Sequence, residues 1–311
     1  TISQAVKQLF VGGTRQTLAR YPNTGWLFND NCTGTTLNDA ALTQAAGYFT
    51  GAQVVMRTTN WSYEVNAVTN FTGSTLSLSP GVPNVGNANW GYFIWNKLNL
   101  LDQAGEWYYD ASTSQLYLWA PGGVDPNTLL VECAVQSLGV EVGYQKHHVI
   151  IENLAFQHQI LSGVDCGVSS NMIVRTCTFN ELYRAISSNG TTNTFDANII
   201  SNTWATAMFM VDQGAMITNN ILTNCAMLAG FGENWWGYFG IRIMGPGCTV
   251  RGNRIDNTGY IAISFQGTTT VEKNYVTNAT ALLNDGGGIS FDECDGALIK
   301  DNVVVNVQGS L

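Results

Sequence analysis

The chain has 311 residues and a net charge of −9, with 45% hydrophobic and 11% charged residues. This apolar, aromatic composition excludes intrinsic disorder, and 13 basic residues are too few to favour a nucleic-acid partner. No apolar run approaches the roughly 18 residues that a transmembrane helix needs, so we expect no membrane span. Abundant Asn, Thr, Val and Ile, with few Lys, Glu and Leu, favour β structure.

The first part of the chain has the alternation of antiparallel strands. Residues 52–79 alternate and break at Asn-Phe-Thr-Gly, which predicts hairpins. Residues 106–123 predict two strands around a polar turn. We interpret residues 1–28 as an N-terminal cap of a solenoid and residues 29–135 as a β-sandwich-like module, ahead of or inserted into the first coils.

A repeated phrase dominates the rest of the chain. From residue 149 the pattern apolar-x-x-Asn-x-apolar recurs, with its pivot at Asn153, Cys177, Asn198, Asn220, Asn253, Asn274 and Asn302. Most steps are close to 22 residues, which suits one coil of a parallel β-helix and is too short for a helix-pair repeat. A leucine-rich repeat is the rival, but its Leu frame is absent. We therefore predict parallel β-helix coils over residues 136–311, with an Asn ladder hydrogen-bonded between coils.

A second short strand precedes each phrase and lines a groove. Alternation predicts that Arg242, Ser264, Ser290 and Asp292 point outward, and that the inward residues are Ile241, Ile243, Ile263, Ile289 and Phe291. Two steps are longer, which places insertions at 226–240 and 279–290 directly before such strands. We expect both insertions to crowd the same flank.

The C-terminal end of the chain has no predicted polar cap. Leu311 follows closely on the last repeat phrase, and an uncapped solenoid end exposes unpaired strand edges. We therefore expect either a fragment of a longer chain or self-association through this end. The seven Cys are odd in number, and no pair has C-x-x-C spacing. We interpret them as small core residues, with a disulfide or two as the alternative in a secreted protein.

Three segments carry a resemblance to a known group. QLFVGGTRQTLARYPNTGW (8–26) and NKLNLLDQAGEWYYDASTSQLYLW (96–119) resemble opening segments of secreted bacterial right-handed parallel β-helix repeat proteins of the pectate-lyase-like superfamily. NDGGGIS (284–290) is similar to their Asn-Asp-Gly-Gly-x-Ile-Tyr phrase, with Ser290 where Tyr is usual. Several members are glycoside hydrolases of the β-xylosidase, xylanase and fucosidase kinds. The resemblance implies the fold and an extracellular or cell-surface setting, but it leaves the substrate open.

Carboxylates are the candidate catalytic groups. The three glycines after Asp285 allow close backbone approach to a ligand, and Asp292 and Glu293 follow shortly in a chain poor in charge. Glu233 lies in the other insertion. Glycosidases need two carboxyl groups about 5 Å apart or roughly 6.5–9.5 Å apart, and side chains one or two coils apart on one strip are separated by about 4.8 or 9.6 Å. An acidic turn or a Ca²⁺ site is the alternative interpretation.

Substrate contacts are expected from aromatic rings and one ion pair. Trp235, Trp236 and Tyr238 offer platforms on which the C–H faces of sugars stack; the alternative is that the rings merely cover the solenoid. Arg242 and Asp212 lie one coil apart, and such a pair either holds a substrate hydroxyl or carboxylate or serves structure.

The leading functional hypothesis is a secreted glycoside hydrolase that cleaves a polysaccharide or oligosaccharide in a groove along the β-helix with paired carboxylates. One alternative is a polysaccharide lyase acting on a uronate-containing glycan, and the other is a non-catalytic carbohydrate-binding, adhesin or fibre solenoid. No residue spacing indicates a metal site, so we expect no cofactor, with Ca²⁺ as the one exception named above.

Overall fold

The computed structural model describes residues 4–82, 87–232 and 237–309. The chain divides into two compact units, Thr1–Val135 and Gln136–Leu311. Strands dominate both units, and the described residues contain three short 3₁₀ helices at Leu98–Leu100, Pro121–Gly123 and Pro126–Thr128. Among these residues no helix is long and apolar enough to pass through a lipid bilayer.

The first unit consists of small, mainly antiparallel sheets. Its strands are β1 (Gln8–Val11), β2 (Thr14–Arg15), β3 (Thr17–Leu18), β4 (Arg20–Tyr21), β5 (Leu27–Phe28), β6 (Asn31–Cys32), β7 (Thr36–Asn38), β8 (Gln53–Arg57), β9 (Tyr63–Thr72), β10 (Thr75–Ser79), β11 (Gly91–Trp95), β12 (Glu106–Asp110), β13 (Gln115–Leu118) and β14 (Val131–Ala134). An eight-stranded sheet runs in the order β4-β11-β8-β9-β10-β7-β6, with β5 beside β11, and two three-stranded sheets have the orders β14-β1-β2 and β13-β12-β3.

The hairpins predicted in this unit are present. β8 pairs with β9, and β9 pairs with β10. The turn between β9 and β10 lies at Gly73 and Ser74, whose φ angles of 54° and 65° are left-handed. β12 and β13 pair antiparallel around a polar turn. Residues 1–28, predicted as a cap of the solenoid, supply β1 to β5, which pair within this first unit.

The second unit is a parallel β-helix of three seven-stranded sheets. Sheet I contains β15 (Leu138–Glu141), β18 (Ser162–Asp165), β21 (Ile186–Ser188), β24 (Met208–Met210), β27 (Ile241–Ile243), β30 (Ile263–Gln266) and β33 (Ile289–Asp292). Sheet II contains β16 (Ile150–Glu152), β19 (Ile173–Arg175), β22 (Thr194–Asp196), β25 (Met216–Thr218), β28 (Thr249–Arg251), β31 (Thr270–Glu272) and β34 (Leu298–Lys300). Sheet III contains β17 (Ala155–Gln157), β20 (Thr178–Asn180), β23 (Ile199–Ser201), β26 (Ile221–Cys225), β29 (Arg254–Thr258), β32 (Tyr275–Thr277) and β35 (Val303–Val305).

Like residues stack inside the coils because the strands pair in register. In sheet I, Ile241 opposes Ile263, and Ile263 opposes Ile289. Ile241 and Ile263 are fully buried in the core, each contributing about 1.5–3 kcal/mol through burial, and Ile289 is partly buried against it. Phe291 stacks on Phe265 with ring centroids 5.5 Å apart, but 55% of it is exposed because it belongs to the last described coil.

The seven cysteines are free thiols. Cys166, Cys177, Cys225 and Cys248 lie in the core of the solenoid, as expected of small apolar residues, and Cys32 is buried in the first unit.

The predicted Asn ladder crosses the corner between sheets II and III. The side-chain amides of Asn198, Asn220, Asn253 and Asn274 each donate to the side-chain oxygen one coil further on, ending at Asn302, over 2.9–3.0 Å. Each oxygen also accepts the backbone N–H of the ladder residue in the preceding coil. The ladder therefore satisfies both the amides and the main chain of a buried turn.

The pivot in the first coil is corrected by one residue. Leu154, rather than Asn153, precedes Cys177 in the ladder, because Thr178 N–H bonds to the Leu154 carbonyl just as Ile199 N–H bonds to that of Cys177. Asn153 instead has a left-handed φ of 58° and accepts a hydrogen bond from Thr176.

Asp212 lies inside the solenoid at the corner between sheets I and II. It is 0% exposed, and one carboxylate oxygen accepts hydrogen bonds from Asn193 Nδ2 at 2.6 Å and Ser188 Oγ at 3.0 Å. Burial raises the pKa of Asp212, although these two hydrogen bonds oppose the change. The carboxyl therefore belongs to the interior, alongside the thiol of Cys166, whose pKa is raised to about 12 by burial and by Asp212.

We predict that Asn253→Ala lowers the free energy of unfolding by about 3–5 kcal/mol, because it leaves the buried groups of two adjacent coils unpaired. The measurement is urea denaturation followed by circular dichroism. The exposed Asn189 provides the control, and Asn189→Ala should change stability by less than about 0.5 kcal/mol. Equal losses in the two variants would contradict a stabilising ladder.

A second prediction concerns pH. Because its pKa is raised in the folded state, Asp212 contributes stability that is present below its unfolded pKa of about 3.9 and is lost as pH rises through the folded value. Asp212→Asn should therefore lose less stability than the wild type between about pH 4 and pH 8. Denaturation at several pH values measures this, with the exposed Asp295→Asn as control. Parallel curves for wild type and Asp212→Asn would refute it.

Candidate functional site

The two insertions lie at the same corner of the β-helix. Successive ladder asparagines are 21 or 22 positions apart in regular coils, but 33 apart between Asn220 and Asn253 and 28 apart between Asn274 and Asn302. The first insertion, 226–240, connects β26 of sheet III to β27 of sheet I. The second insertion, 279–290, follows β32 of sheet III and includes the first two residues of β33 of sheet I. Because β27, β30 and β33 are neighbours in sheet I, the insertions are two coils apart on one flank.

Tyr260 joins the two insertions in the turn before β30. Its ring packs against Phe239 of the first insertion, with centroids 5.5 Å apart and planes tilted by 53°. Its backbone N–H donates to the Tyr238 carbonyl at 2.9 Å. On the other side, its hydroxyl donates to the carbonyl oxygen of Asp285 in the second insertion. The turn of the intervening coil thus contacts both rims of the groove.

Tyr238, predicted as a sugar-stacking ring, is instead an internal anchor. It is 0% exposed, and its hydroxyl accepts a hydrogen bond from Gly230 N–H at 2.9 Å. A Cβ on Gly232 would lie 2.5 Å from the ring, so the loop folds tightly over Tyr238. The prediction of an exposed platform is therefore wrong for this residue, because the loop uses the ring as its own core. Glu233, Trp235 and Trp236 lie outside the described residues.

The outer face of sheet I carries the polar strip that alternation predicted. Arg242 opposes Ser264, and Ser264 opposes Ser290 on three successive strands. The Arg242 guanidinium donates to the Ser264 hydroxyl and lies 3.9 Å from the Asp292 carboxylate. Arginine, serine and aspartate therefore converge from β27, β30 and β33.

Burial separates the roles of Arg242 and Asp292. The Arg242 side chain is 3% exposed, whereas that of Asp292 is 55% exposed. Burial lowers the pKa of Arg242, and the charges of Asp292, Cys294 and Glu293 oppose this effect. Its guanidinium also lies over the Phe239 ring at 5.4 Å. Arg242 thus lies beneath the surface of the groove, and Asp292 is the residue of the ion pair that is exposed to solvent.

The other predicted carboxylates lie at the rim. Asp285 and Glu293 are exposed, and Glu293 has a left-handed φ of 49°, which turns the chain directly after β33. Within residues 4–82, 87–232 and 237–309, no group of three or more His, Cys, Asp or Glu is arranged to hold a metal ion.

The predicted pair of Arg242 with Asp212 is replaced by a different arrangement. Asp212 bonds to Ser188 and Asn193 in the interior, whereas Arg242 faces Asp292 on the outer face. Arg242 and Asp212 belong to neighbouring coils but do not pair. Asp212 lies beyond the end of its strand, and its side chain is buried in the interior.

Tyr260 is the residue of this site that sequence reasoning missed. It lies in a coil without an insertion, between β29 and β30, so spacing alone gave it no prominence. The available signal was its position: an aromatic residue three residues before a strand of sheet I, as is Tyr238 before β27.

A cavity of about 990 Å³ lies in the first unit and is lined by uncharged residues such as Leu116, Tyr117, Trp119 and Leu130. Its lining contains none of the predicted site residues and no carboxylate, imidazole, amine or guanidinium group. It therefore does not compete with the carboxylate strip as a place for acid–base chemistry.

Comparisons with known proteins agree with this architecture. The sequence model of a family described as "Right handed beta helix region" matches residues 184–311. No curated protein matches the chain by sequence. A solved structure titled "Glycoside hydrolase" is 13% identical with a TM-score of 0.68, and the alignment covers 93% of this chain and 66% of that one. This chain therefore spans just under two thirds of that protein.

Two phage proteins align with much lower structural similarity. The gp49 tailspike of Pseudomonas phage LKA1 is 12% identical with a TM-score of 0.25, covering 90% of this chain and 46% of that one. The Gp54 tailspike of Acinetobacter baumannii bacteriophage AP22, solved with a capsular saccharide, is 9% identical with a TM-score of 0.20, covering 94% and 62%.

The family match and the three parallel sheets together establish the fold and its hand. The chain is a right-handed parallel β-helix protein with antiparallel sheets at its N-terminus, and its fold resembles that of a glycoside hydrolase.

Proposed function

We propose that the protein is a carbohydrate-active enzyme, a glycoside hydrolase that cleaves a polysaccharide or oligosaccharide in the groove along sheet I. The observation that carries the proposal is the meeting of the two insertions at one flank, where Tyr260 and Phe239 connect the Asp285 loop to the Arg242–Asp292 pair. We include secretion in the proposal, because we expect the polysaccharide substrate to lie outside the cell.

The groove has the groups that hydrolysis of a glycosidic bond requires. Asp285 and Asp292 are both exposed to solvent and belong to the same coil, Asp285 on the insertion and Asp292 on the strand that follows it. The Arg242 guanidinium lies 3.9 Å from the Asp292 carboxylate and carries the opposite charge. Glycosidases use two carboxyl groups, one as the acid and the other as the base or nucleophile.

We assign the proton donor to Asp285 and the carboxylate to Asp292. Asp285 gives its proton to the glycosidic oxygen as the bond from the sugar carbon to that oxygen breaks. The Asp292 carboxylate either attacks the sugar carbon or takes a proton from the attacking water, and the distance between the two carboxyl groups in the complex decides between these courses.

The burial of Arg242 favours hydrolysis over a lyase reaction. A lyase needs a base beside the uronate carbon and a cation beside the uronate carboxylate. The cation of the strip, Arg242, is 3% exposed and already faces Asp292. Nearby Tyr260 is 6% exposed, and burial together with the charge of Asp285 raises its pKa to about 12, so its hydroxyl is a poor base.

We predict that Asp285→Asn lowers kcat by about 10²–10⁴-fold on a substrate that the wild type cleaves, because the amide cannot donate the proton. Release of reducing sugar from a panel of neutral and acidic polysaccharides measures the activity. The control is Asp301→Asn, an exposed aspartate at the end of β34 where a left-handed φ of 56° suits Asn.

Three results would count against the proposal. Full activity in Asp285→Asn with unchanged melting removes Asp285 from the chemistry. Product that absorbs in the ultraviolet as an unsaturated uronate indicates a lyase. Binding of glycans without cleavage of any member of the panel indicates a carbohydrate-binding or adhesin solenoid.

A further inference from the structure

We propose that Tyr260 is a positioning residue that holds the Asp285 loop against the first insertion, so that the two rims of the groove keep one geometry. The inference rests on the proposed function, because it concerns the same site. It adds a residue that touches neither the substrate nor the reacting atoms.

The main chain of Tyr260 connects the two insertions directly. Its N–H donates to the Tyr238 carbonyl at 2.9 Å, and its carbonyl accepts from Thr280 N–H at 2.8 Å. Tyr238 belongs to the first insertion and Thr280 to the second. The turn before β30 therefore connects the position of one loop to that of the other through two backbone hydrogen bonds.

The first residues of the second insertion are fixed by the same turn. Ala281 N–H donates to the Thr258 carbonyl, and Leu282 and Leu283 N–H both donate to the Gly259 carbonyl, over 2.9–3.0 Å. Thr280, 1% exposed, has a left-handed φ of 61°, which is strained for a β-branched residue and persists only where the surroundings hold it.

The Tyr260 side chain extends this support to the acid. Its hydroxyl donates to the backbone carbonyl of Asp285 and so fixes the main chain from which the carboxylate projects. A Cβ on Gly286 would lie 2.7 Å from both the Tyr260 ring and Ile261, so the chain after Asp285 lies flat against the ring. The ring in turn packs on Phe239.

The hydrogen bond persists throughout the pH range of the chemistry. Burial, with a smaller effect of the Asp285 charge, raises the pKa of Tyr260 to about 12. The hydroxyl therefore remains protonated and donates wherever a carboxylate pair operates.

The test compares Tyr260→Phe with Tyr275→Phe in the full chain. Tyr275 is 42% exposed on sheet III, so its variant removes a hydroxyl without touching the insertions. Hydrogen exchange measures the amides of residues 284–288, and steady-state kinetics on the panel of polysaccharides measures kcat and KM. For Tyr260→Phe we expect exchange about three- to tenfold faster there and kcat lower by about tenfold, with KM within about twofold.

Two further readouts separate positioning from a general loss of structure. The buried amides of the Asn ladder should exchange at the wild-type rate in Tyr260→Phe, and its pH–rate profile should keep the wild-type shape, because the missing hydroxyl does not titrate in that range. Phe239→Leu, which keeps the hydroxyl but removes the supporting ring, should change loop exchange in the same direction.

The outcomes distinguish this inference from the proposed function. Unchanged loop exchange and unchanged kcat in Tyr260→Phe, beside an inactive Asp285→Asn, overturn the positioning role alone. Full activity in Asp285→Asn overturns the catalytic assignment, while faster loop exchange in Tyr260→Phe still supports the structural part. Equal effects of Tyr260→Phe and Tyr275→Phe overturn the inference.

Discussion

The structure depends on a buried amide that must find partners in the coils on both sides. Each ladder asparagine donates to the next side-chain oxygen, and that oxygen also accepts a backbone N–H of the preceding coil. Because these groups have no access to water, a slip of one residue would leave several polar groups unpaired at about 1–3 kcal/mol each. The ladder therefore specifies register as well as stability, and the columns of side chains on all three sheets follow from it.

A register held at one corner leaves the other corners free to vary. The ladder passes without interruption from Asn220 to Asn253 and from Asn274 to Asn302, although 33 and 28 positions separate these residues. Extra residues leave the solenoid at the corner between sheets III and I, and the entropy of closing a longer loop grows only slowly with length. The candidate site is built from these two additions on a frame that does not change to accommodate them.

Sequence periodicity predicts which face of a strand a side chain lies on and which residues stack in successive coils. It does not predict which segments cover that face. Alternation correctly placed Arg242 and Ser264 outward, yet both are 2% exposed, because burial of an outer face depends on segments distant in sequence. The same limit explains Tyr238, an aromatic residue of an insertion that is buried as an anchor within that insertion. The position of Leu154 was missed for a local reason: Asn suits both the ladder and the left-handed position before it, so Asn153 fitted the phrase one residue early.

The buried guanidinium explains how a groove with several carboxylates remains compatible with folding. Removing Arg242 from water is costly, and its pKa is lowered for that reason. The Ser264 hydroxyl, the Phe239 ring and the half-exposed Asp292 offset part of this cost. Since Asp292 remains in contact with solvent, its own desolvation is small, and the pair places a negative charge at the surface with a positive charge beneath it. A lysine at position 242 would present one compact charge in place of the planar fork that reaches both β30 and β33.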